Sequence, residues 1–312
     1  MHRNIFQRFQ IFQSWAQKFP SVLLWVFIAS SSGFTYANSP ANTVSNATEL
    51  LEKYTSLSAQ LAQNSYGRPL FLESSESATS VSGNAYAVLD STFSSASATF
   101  LSPNRWCEVL ILPINTKYCR ANSESNPAVL KVNIGKKIMQ ELGNTYAFEF
   151  KFEVESSSPN FLSVHLNAAK GPLGTTNYRI ELQALPLPQG KTFIKLHYSY
   201  GYGFAGRVAM QGYLATIGSG KVGFTQAIQG DKESAVKGMR GAVERNTMRY
   251  YLAIDAYLTS LRLPAAQQFN SRLENWFNAT EKYPDQFQDI DKDSYLVMKK
   301  IEYRRQKAEV SD

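Results

Sequence analysis

The sequence predicts an α+β protein in which a curved antiparallel sheet wraps around a long C-terminal helix, with extra helices at both ends. Strand-like segments follow one another at hairpin-like distances, over 117–121, 129–134, 146–155, 161–168, 178–185, 192–200 and 207–215. The segment Tyr146 to Glu155 alternates Tyr, Phe, Phe, Phe and Val with Ala, Glu, Lys and Glu, the pattern of a half-buried antiparallel strand. Residues 240–262 then give the strongest helical pattern in the chain. Val243, Tyr250, Ile254, Tyr257 and Leu261 share one face, Tyr251 and Leu258 flank it, and Met248 and Leu252 point the other way. Such a helix packs on two sides. Pro264 stops it.

The chain opens with Arg3, Arg8 and Lys18 and meets no acidic residue before Glu49. The apolar run from Val22 to Ala29 follows, then small residues up to Ala37. This order predicts a secretory signal peptide over residues 1–37, cut near Ala37, and a periplasmic or secreted mature protein. The run is too short to span a bilayer, which needs about 20 apolar residues. With no Cys to take a lipid and no twin arginine, ordinary export is expected, and no later segment is a membrane span.

Losing residues 1–37 removes three basic residues and no acidic ones, so the formal charge falls from +7 to +4. A chain so mildly basic is not a nucleic-acid binder by charge. The two cysteines, Cys107 and Cys119, close a short loop in the exported part and read as a disulfide. A loop of that size contributes about 3 kcal/mol in the chain-entropy view. A metal site there lacks partners, since only His165 and His197 remain in the mature chain.

Four regions are expected: the signal peptide, a linker and N-terminal helix over 38–67, a main domain over 68–262, and a helical extension over 263–312. Asn46, with Glu49 three residues on, can cap a helix carrying Leu50, Leu51, Tyr54, Leu57 and Leu61. Ala85 to Leu89 reads as a strand, and Phe93 to Leu112 as two short helices joined at Ser102-Pro103. Residues 265–308 read as two further helices.

Strand, two short helices, curved sheet, long helix: over about residues 83–262 this order resembles the helix-grip superfamily of START/Bet v 1-like (SRPBCC) proteins. The residues carrying the resemblance are Tyr86-Ala-Val-Leu89, Phe93 and Leu101-Ser-Pro-Asn-Arg-Trp106, where members place a strand, a Phe-led helix and a Pro-Trp second helix. No catalytic motif accompanies them. The resemblance implies an apolar cavity between the sheet and the last helix that holds lipids, sterols or polyketide-like molecules.

Gly218 to Gly223 and Gly201 to Gly206 both match G-x-G-x-x-G, but neither is expected between a parallel strand and a helix, so both read as turns needing positive φ. Asp289, Asp291 and Asp293 lack the Gly and Glu of a calcium loop and read as a solvated helix entrance. No cofactor, metal ligand or catalytic residue is assigned. His165 and His197 lie in strands, with no Ser or Cys neighbour suggesting a triad.

The functional expectation is an exported binder or carrier of an apolar small molecule or lipid. Its pocket candidates are Phe148, Phe150, Phe152, Tyr250, Ile254 and Tyr257, with Arg245 and Arg249 as headgroup candidates; helix-surface ion pairs such as Arg240 with Glu244 are the favoured reading of the charges there. The competing expectation is an envelope module that docks a protein partner through its terminal helices; a hydrolase or cyclase ranks below both. An enclosed cavity, a filled core with an exposed apolar patch, or polar groups converging in a cleft distinguish the three.

Overall fold

The computed structural model describes residues 40–216, 220–229 and 232–308, so the predicted signal peptide and its cut lie outside the described residues. Helices α1 (Pro40–Ser56) and α2 (Ser58–Ala62) lead into strands β1 (Leu70–Glu76) and β2 (Ser80–Leu89). Helices α3 (Phe93–Phe100) and α4 (Pro103–Leu110) follow, then β3 (Thr116–Asn122), β4 (Ala128–Ile134), β5 (Tyr146–Ser158), β6 (Phe161–Lys170), β7 (Thr175–Leu187) and β8 (Lys191–Tyr202). Helix α5 (Phe204–Thr216), a hairpin of β9 (Gln226–Gln229) and β10 (Lys232–Ala235), and the long helix α6 (Gly238–Ser260) come next. Helices α7 (Ala265–Thr280), α8 (Pro284–Phe287) and α9 (Lys292–Ala308) complete the chain.

Strands β1 to β8 form one antiparallel sheet in the order β1-β2-β8-β7-β6-β5-β4-β3. The pair α3–α4 carries the chain from β2 to β3 at the far edge, and each later strand returns beside its predecessor until β8 pairs with β2. The ladder slips between Val154 and Ser156 and again between Thr176 and Arg179. Bulges of this kind bend and twist a sheet, which makes one face concave.

Alternation then assigns the side chains. Leu162, Val164 and Leu166 of β6, Ile180, Leu182 and Ala184 of β7, and Ile194, Leu196 and Tyr198 of β8 point to the concave face and into the main core. On the convex face Phe161, Leu185, Phe193 and Tyr86 form a second, smaller core under Leu50, Leu57 and Leu61 of α1 and its continuation. Tyr54 meets Phe193 with ring centroids 5.0 Å apart.

Helix α6 lies across the concave face against β1, β2 and β8, while α4 and α7 cover its other side, so it packs on both sides as its pattern predicts. Its approach to β2 is closest at Gly83, where a Cβ atom would stand 2.5 Å from Thr247 Oγ1. Helix α4 begins as expected, with Ser102 Oγ accepting from Arg105 N and Pro103 in the first turn. Trp106 Nε1 donates to Phe100 O at 2.9 Å, which locks α3 to α4. Cys107 and Cys119 are bonded, with Cα atoms 5.1 Å apart, and tie α4 to β3.

The structure corrects several sequence readings. Residues 207–215, expected as a strand, belong to α5: Ala205, Ala209, Met210, Gln211, Leu214 and Ala215 favour a helix, and their spacing outweighs the few β-formers. A glycine cluster therefore does stand between a strand and a helix. Gly206 serves packing, since a Cβ there would lie 2.8 Å from Gly174 O. The edge strand β1 and the β9–β10 hairpin carry too few apolar residues to be read from pattern. Helix α1 begins at Pro40, inside the segment expected to be a linker.

Helix α9 closes over β3 with an unusual core. Lys117, Lys299 and Glu302 are all buried, and the one carboxylate meets Lys299 at 2.7 Å and Lys117 at 3.0 Å. The lysines also donate to Thr116 O and Ile114 O. Burial, opposed by Glu302 and reinforced by Lys117, holds the Lys299 ammonium down at about 8.

Two predictions follow from this packing. Gly83→Val should force α6 away from β2 and cost about 1–3 kcal/mol in urea unfolding, the usual scale for overpacking. For Lys299 the unfolded chain keeps its proton up to about 10.5 while the folded chain gives it up at about 8. Unfolding then takes up protons, so stability should rise from pH 8 to pH 10, by on the order of 2–3 kcal/mol. Lys299→Met should flatten that rise in chemical denaturation measured across the window.

Candidate functional site

The concave face near α6 is where a ligand cavity is expected, and aromatic rings in mutual contact line it. Phe150 and Phe152 are buried there, and half-buried Phe148 meets Phe150 at 5.1 Å and Tyr178 at 5.8 Å. Tyr178 stacks on Tyr200 at 5.1 Å; Tyr198 touches both Tyr200 and, at 5.3 Å, Tyr250 of α6. Tyr202 extends the row. The sequence reading picked out the phenylalanines and missed the tyrosines, although Tyr198-Ser-Tyr200-Gly-Tyr202 alternates plainly. Ile254 is buried in the same core. Tyr257 turns elsewhere, under the Arg272 guanidinium of α7 at 4.1 Å. The reason is position along the helix: two turns beyond Tyr250, α6 has left the tyrosine row and runs beside α4 and α7.

Buried hydroxyls need partners. Tyr178 accepts from Thr175 Oγ1 at 3.0 Å and Tyr202 donates to Ser77 O at 3.0 Å. Tyr198 bonds to Asn246 of α6. The Tyr200 hydroxyl is buried and has no hydrogen-bond partner among the described residues. Burial first, then the neighbouring tyrosines and Glu76, push its ionisation well above the ordinary tyrosine range, with Arg245 opposing.

Glu76 and Arg245 lead out of this layer to an open pocket of about 380 Å³. Its walls are Leu214 and Ala215 of α5, Met239 at the start of α6, and the polar groups of Glu76, Lys221, Lys237 and Arg245. Helix α5 forms one side because β8 ends at Tyr202 and the chain turns straight into it. The wall is therefore part apolar and part cationic.

Behind it the positive charge is in surplus. Asp289 Oδ2 meets Arg249 Nη2 at 3.2 Å, and its Oδ1 meets Lys137 at 2.6 Å and Lys221 at 3.9 Å. Arg249 also lies over the Phe287 ring, and Arg245 donates to Val222 O at 3.0 Å. Burial and then Arg249 hold Lys137 down at about 8, and Lys221 is lowered by burial, with Arg249 and Arg245 contributing. For Asp289, burial raises the carboxyl but Arg249 and Lys137 outweigh it and keep it low. Of the headgroup candidates, Arg245 thus reaches the pocket wall and Arg249 stands one turn behind it. Arg240 and Glu244 are bridged by Ser74, and Glu244 accepts from Phe224 N, Thr225 N and Thr225 Oγ1, which anchors the segment before β9.

Asp291, in the acidic triplet, caps α9 through Ser294 N at 2.9 Å.

A second groove, of about 510 Å³, opens at the ends of β2, β7 and β8. His197 and Ser199 line it, with Nε2 to Oγ at 3.0 Å, and His197 Nδ1 meets Asn84 Oδ1 at 2.7 Å. The other histidine, His165, shares one nitrogen, Nε2, between Glu155 at 2.9 Å and Ser163 at 3.3 Å. Each histidine therefore has a serine two residues away on its own strand, a spacing the sequence reading overlooked.

No protein-family description matches the sequence, and no curated protein matches it. Solved structures do resemble it in part. Norcoclaurine synthase from Thalictrum flavum is 13% identical over 43% of this chain and 71% of its own, with a TM-score of 0.30. Human StAR-related lipid transfer protein 5 is 11% identical over 70% and 99%, at 0.36. The Zhui aromatase/cyclase of a Streptomyces species is 8% identical over 68% and 95%, at 0.29. At these scores none of them informs what this chain binds. The topology speaks for itself: without edge strand β1 the sheet runs first strand, last strand, then back in order to the far edge, closed by a long helix. The chain has a helix-grip fold.

Proposed function

We propose that this protein is an exported binder of amphiphilic acids, such as a fatty acid or an anionic lipid, held at the pocket between α5 and the start of α6. One observation carries the reading: the pocket sets Leu214, Ala215 and Met239 beside Lys221, Lys237 and Arg245, three cations against the one carboxylate of Glu76. An apolar wall with convergent cations suits a chain ending in a carboxylate or phosphate. The tyrosine layer occupies the deeper space, so the ligand sits at the mouth of the fold. Export rests on the N-terminal signal pattern, and no described helix is long and apolar enough to cross a membrane.

A second reading, a docking module for a protein partner, draws on the filled aromatic layer and on Phe204 and Ile228, which are 86% and 81% exposed. The terminal helices favour it less, since Tyr295 and Met298 of α9 and Leu50 of α1 are spent on the chain's own cores.

Titration with oleate, lysophosphatidylglycerol, lysophosphatidylcholine and dodecanol, followed by native mass spectrometry, tests the proposal. The two anionic ligands should bind at least tenfold tighter than the others. Lys221→Glu with Lys237→Glu should remove that preference, and Leu214→Trp should block binding altogether. No binding of any amphiphile would favour the docking module. Tyr250→Ala should behave as a core truncation, costing about 3–5 kcal/mol in urea melts, while retention of oleate per folded molecule stays unchanged.

A further inference from the structure

We propose that Ser199 is a nucleophile, with His197 as its general base and Asn84 as the residue that positions the base, in a second site on the convex face that accepts short acyl esters of uncharged polar alcohols. The site is independent of the amphiphile pocket. It is built from the register of the sheet. His197 and Ser199 are two residues apart on β8 and so share the convex face, and Asn84 of β2 stands directly opposite His197.

The hydrogen bonds fix the proton. Asn84 Nδ2 donates to Glu73 Oε1 at 3.1 Å, which turns its carbonyl oxygen toward the imidazole. His197 Nδ1 must then be the donor to Asn84 Oδ1 at 2.7 Å. That leaves Nε2 without a proton, able to accept from Ser199 Oγ at 3.0 Å. Nucleophile, base and orienting group thus stand in the relation acyl transfer requires. Burial first, with Lys195 and Arg179 adding to it and Glu181 opposing, holds the imidazole below its ordinary value, so it is neutral near pH 7. The contrast with His165 is instructive. There one nitrogen, Nε2, meets both Ser163 and Glu155, and Ser163 Oγ reaches the carboxylate directly at 2.7 Å, so no relay forms.

Space for a substrate comes from the shrinking side chains along β8. The convex row reads Lys195, His197, Ser199, Gly201, and the missing side chain at Gly201 opens the groove floor beside Ser199. Thr176 Oγ1 lies 3.2 Å from where a Cβ on Gly201 would stand, which sets a hydroxyl donor at that opening. The lining holds hydroxyls, an amide, the imidazole and backbone, with no carboxylate, ammonium or guanidinium, hence an uncharged polar substrate.

In the reaction Ser199 Oγ bonds to the acyl carbon as its proton passes to His197 Nε2, and the carbonyl electron pair moves to oxygen. Collapse breaks the ester bond, and the leaving alcohol takes the proton from Nε2. Water, deprotonated by the same nitrogen, then releases the acid and restores Ser199.

The purified full-length, disulfide-bonded chain is treated with a small alkyl fluorophosphonate, which loses fluoride on reaction, and read by intact mass and peptide mapping. One adduct at Ser199 is expected. It should be absent in Ser199→Ala, at least 100-fold slower in His197→Gln, and unchanged in Ser163→Ala. Asn84→Ala should slow labelling about tenfold and shift the His197 ring ¹⁵N resonances away from the Nδ1-protonated tautomer, a change that loss of stability alone does not produce. Gly201→Val should block labelling while leaving that tautomer intact. Absence of an adduct on the folded wild-type chain, or labelling of Ser199 at an undiminished rate in His197→Gln, would overturn the proposal.

Discussion

The burial of helix α6 on both sides is the constraint from which most of this structure follows. A helix sandwiched between a sheet and further helices is ordinarily apolar all round, yet α6 carries Glu244, Arg245 and Arg249 in buried positions. Each needs a partner, because an unpaired buried charge costs several kcal/mol. Glu244 draws in the backbone of residues 224 and 225, Arg245 takes Val222 O, and Arg249 takes Asp289. The segments before β9 and before α9 are thus held by charges of α6. Trp276 Nε1 adds a bond from α7 to Arg249 O. The helical extension is consequently part of the same packing, with Leu273, Trp276, Phe277 and Tyr295 in the main core.

The same constraint shapes what the concave face can hold. Gly83 admits α6 to close range of β2, and the gap that remains toward β5 and β7 is filled by tyrosine and phenylalanine rings in mutual contact. A tyrosine layer differs from an aliphatic one in its hydroxyls, each of which must be satisfied or left at a cost of about 1–3 kcal/mol. Tyr178, Tyr198 and Tyr202 have partners, and Tyr200 has none among the described residues. Its ionisation, raised first by burial, is pushed up further by Glu76 and opposed by Arg245, both of which line the pocket beside α5.

Much of the fold was legible in the sequence where period and length were strong. The strands from β3 to β8, the two short helices with their Ser102-Pro103 cap, the disulfide and α6 all follow from local pattern. Elements with weak or mixed patterns were not legible. In α5 the residues Gly206, Val208, Gly212 and Tyr213 dilute a helical signal that Ala and Leu carry, and β1 ends in Glu73-Ser-Ser-Glu76. The site was less legible than the fold, because its groups meet only through tertiary contacts. Arg245 and Lys221 come together at a pocket wall that α5 creates, and Asn84 reaches His197 only through the pairing of β2 with β8. No spacing along the chain encodes either meeting.

The two faces of the sheet also separate two kinds of chemistry. A convex, water-facing surface ordinarily carries polar residues that interact interchangeably with solvent. Around His197 they do not: Lys53, Asn84 and Tyr86 all converge on the single carboxylate of Glu73. That convergence fixes the Asn84 amide, and the amide fixes the imidazole. Part of the convex face is dried by α1, whose Leu50 and Tyr54 pack with Phe193 and Tyr86, so Glu73 is held at the margin of a small apolar core. The order of the polar chain therefore depends on α1 being docked. A helix at the very start of the described chain sets, through one carboxylate, the direction of a hydrogen-bond relay two strands away.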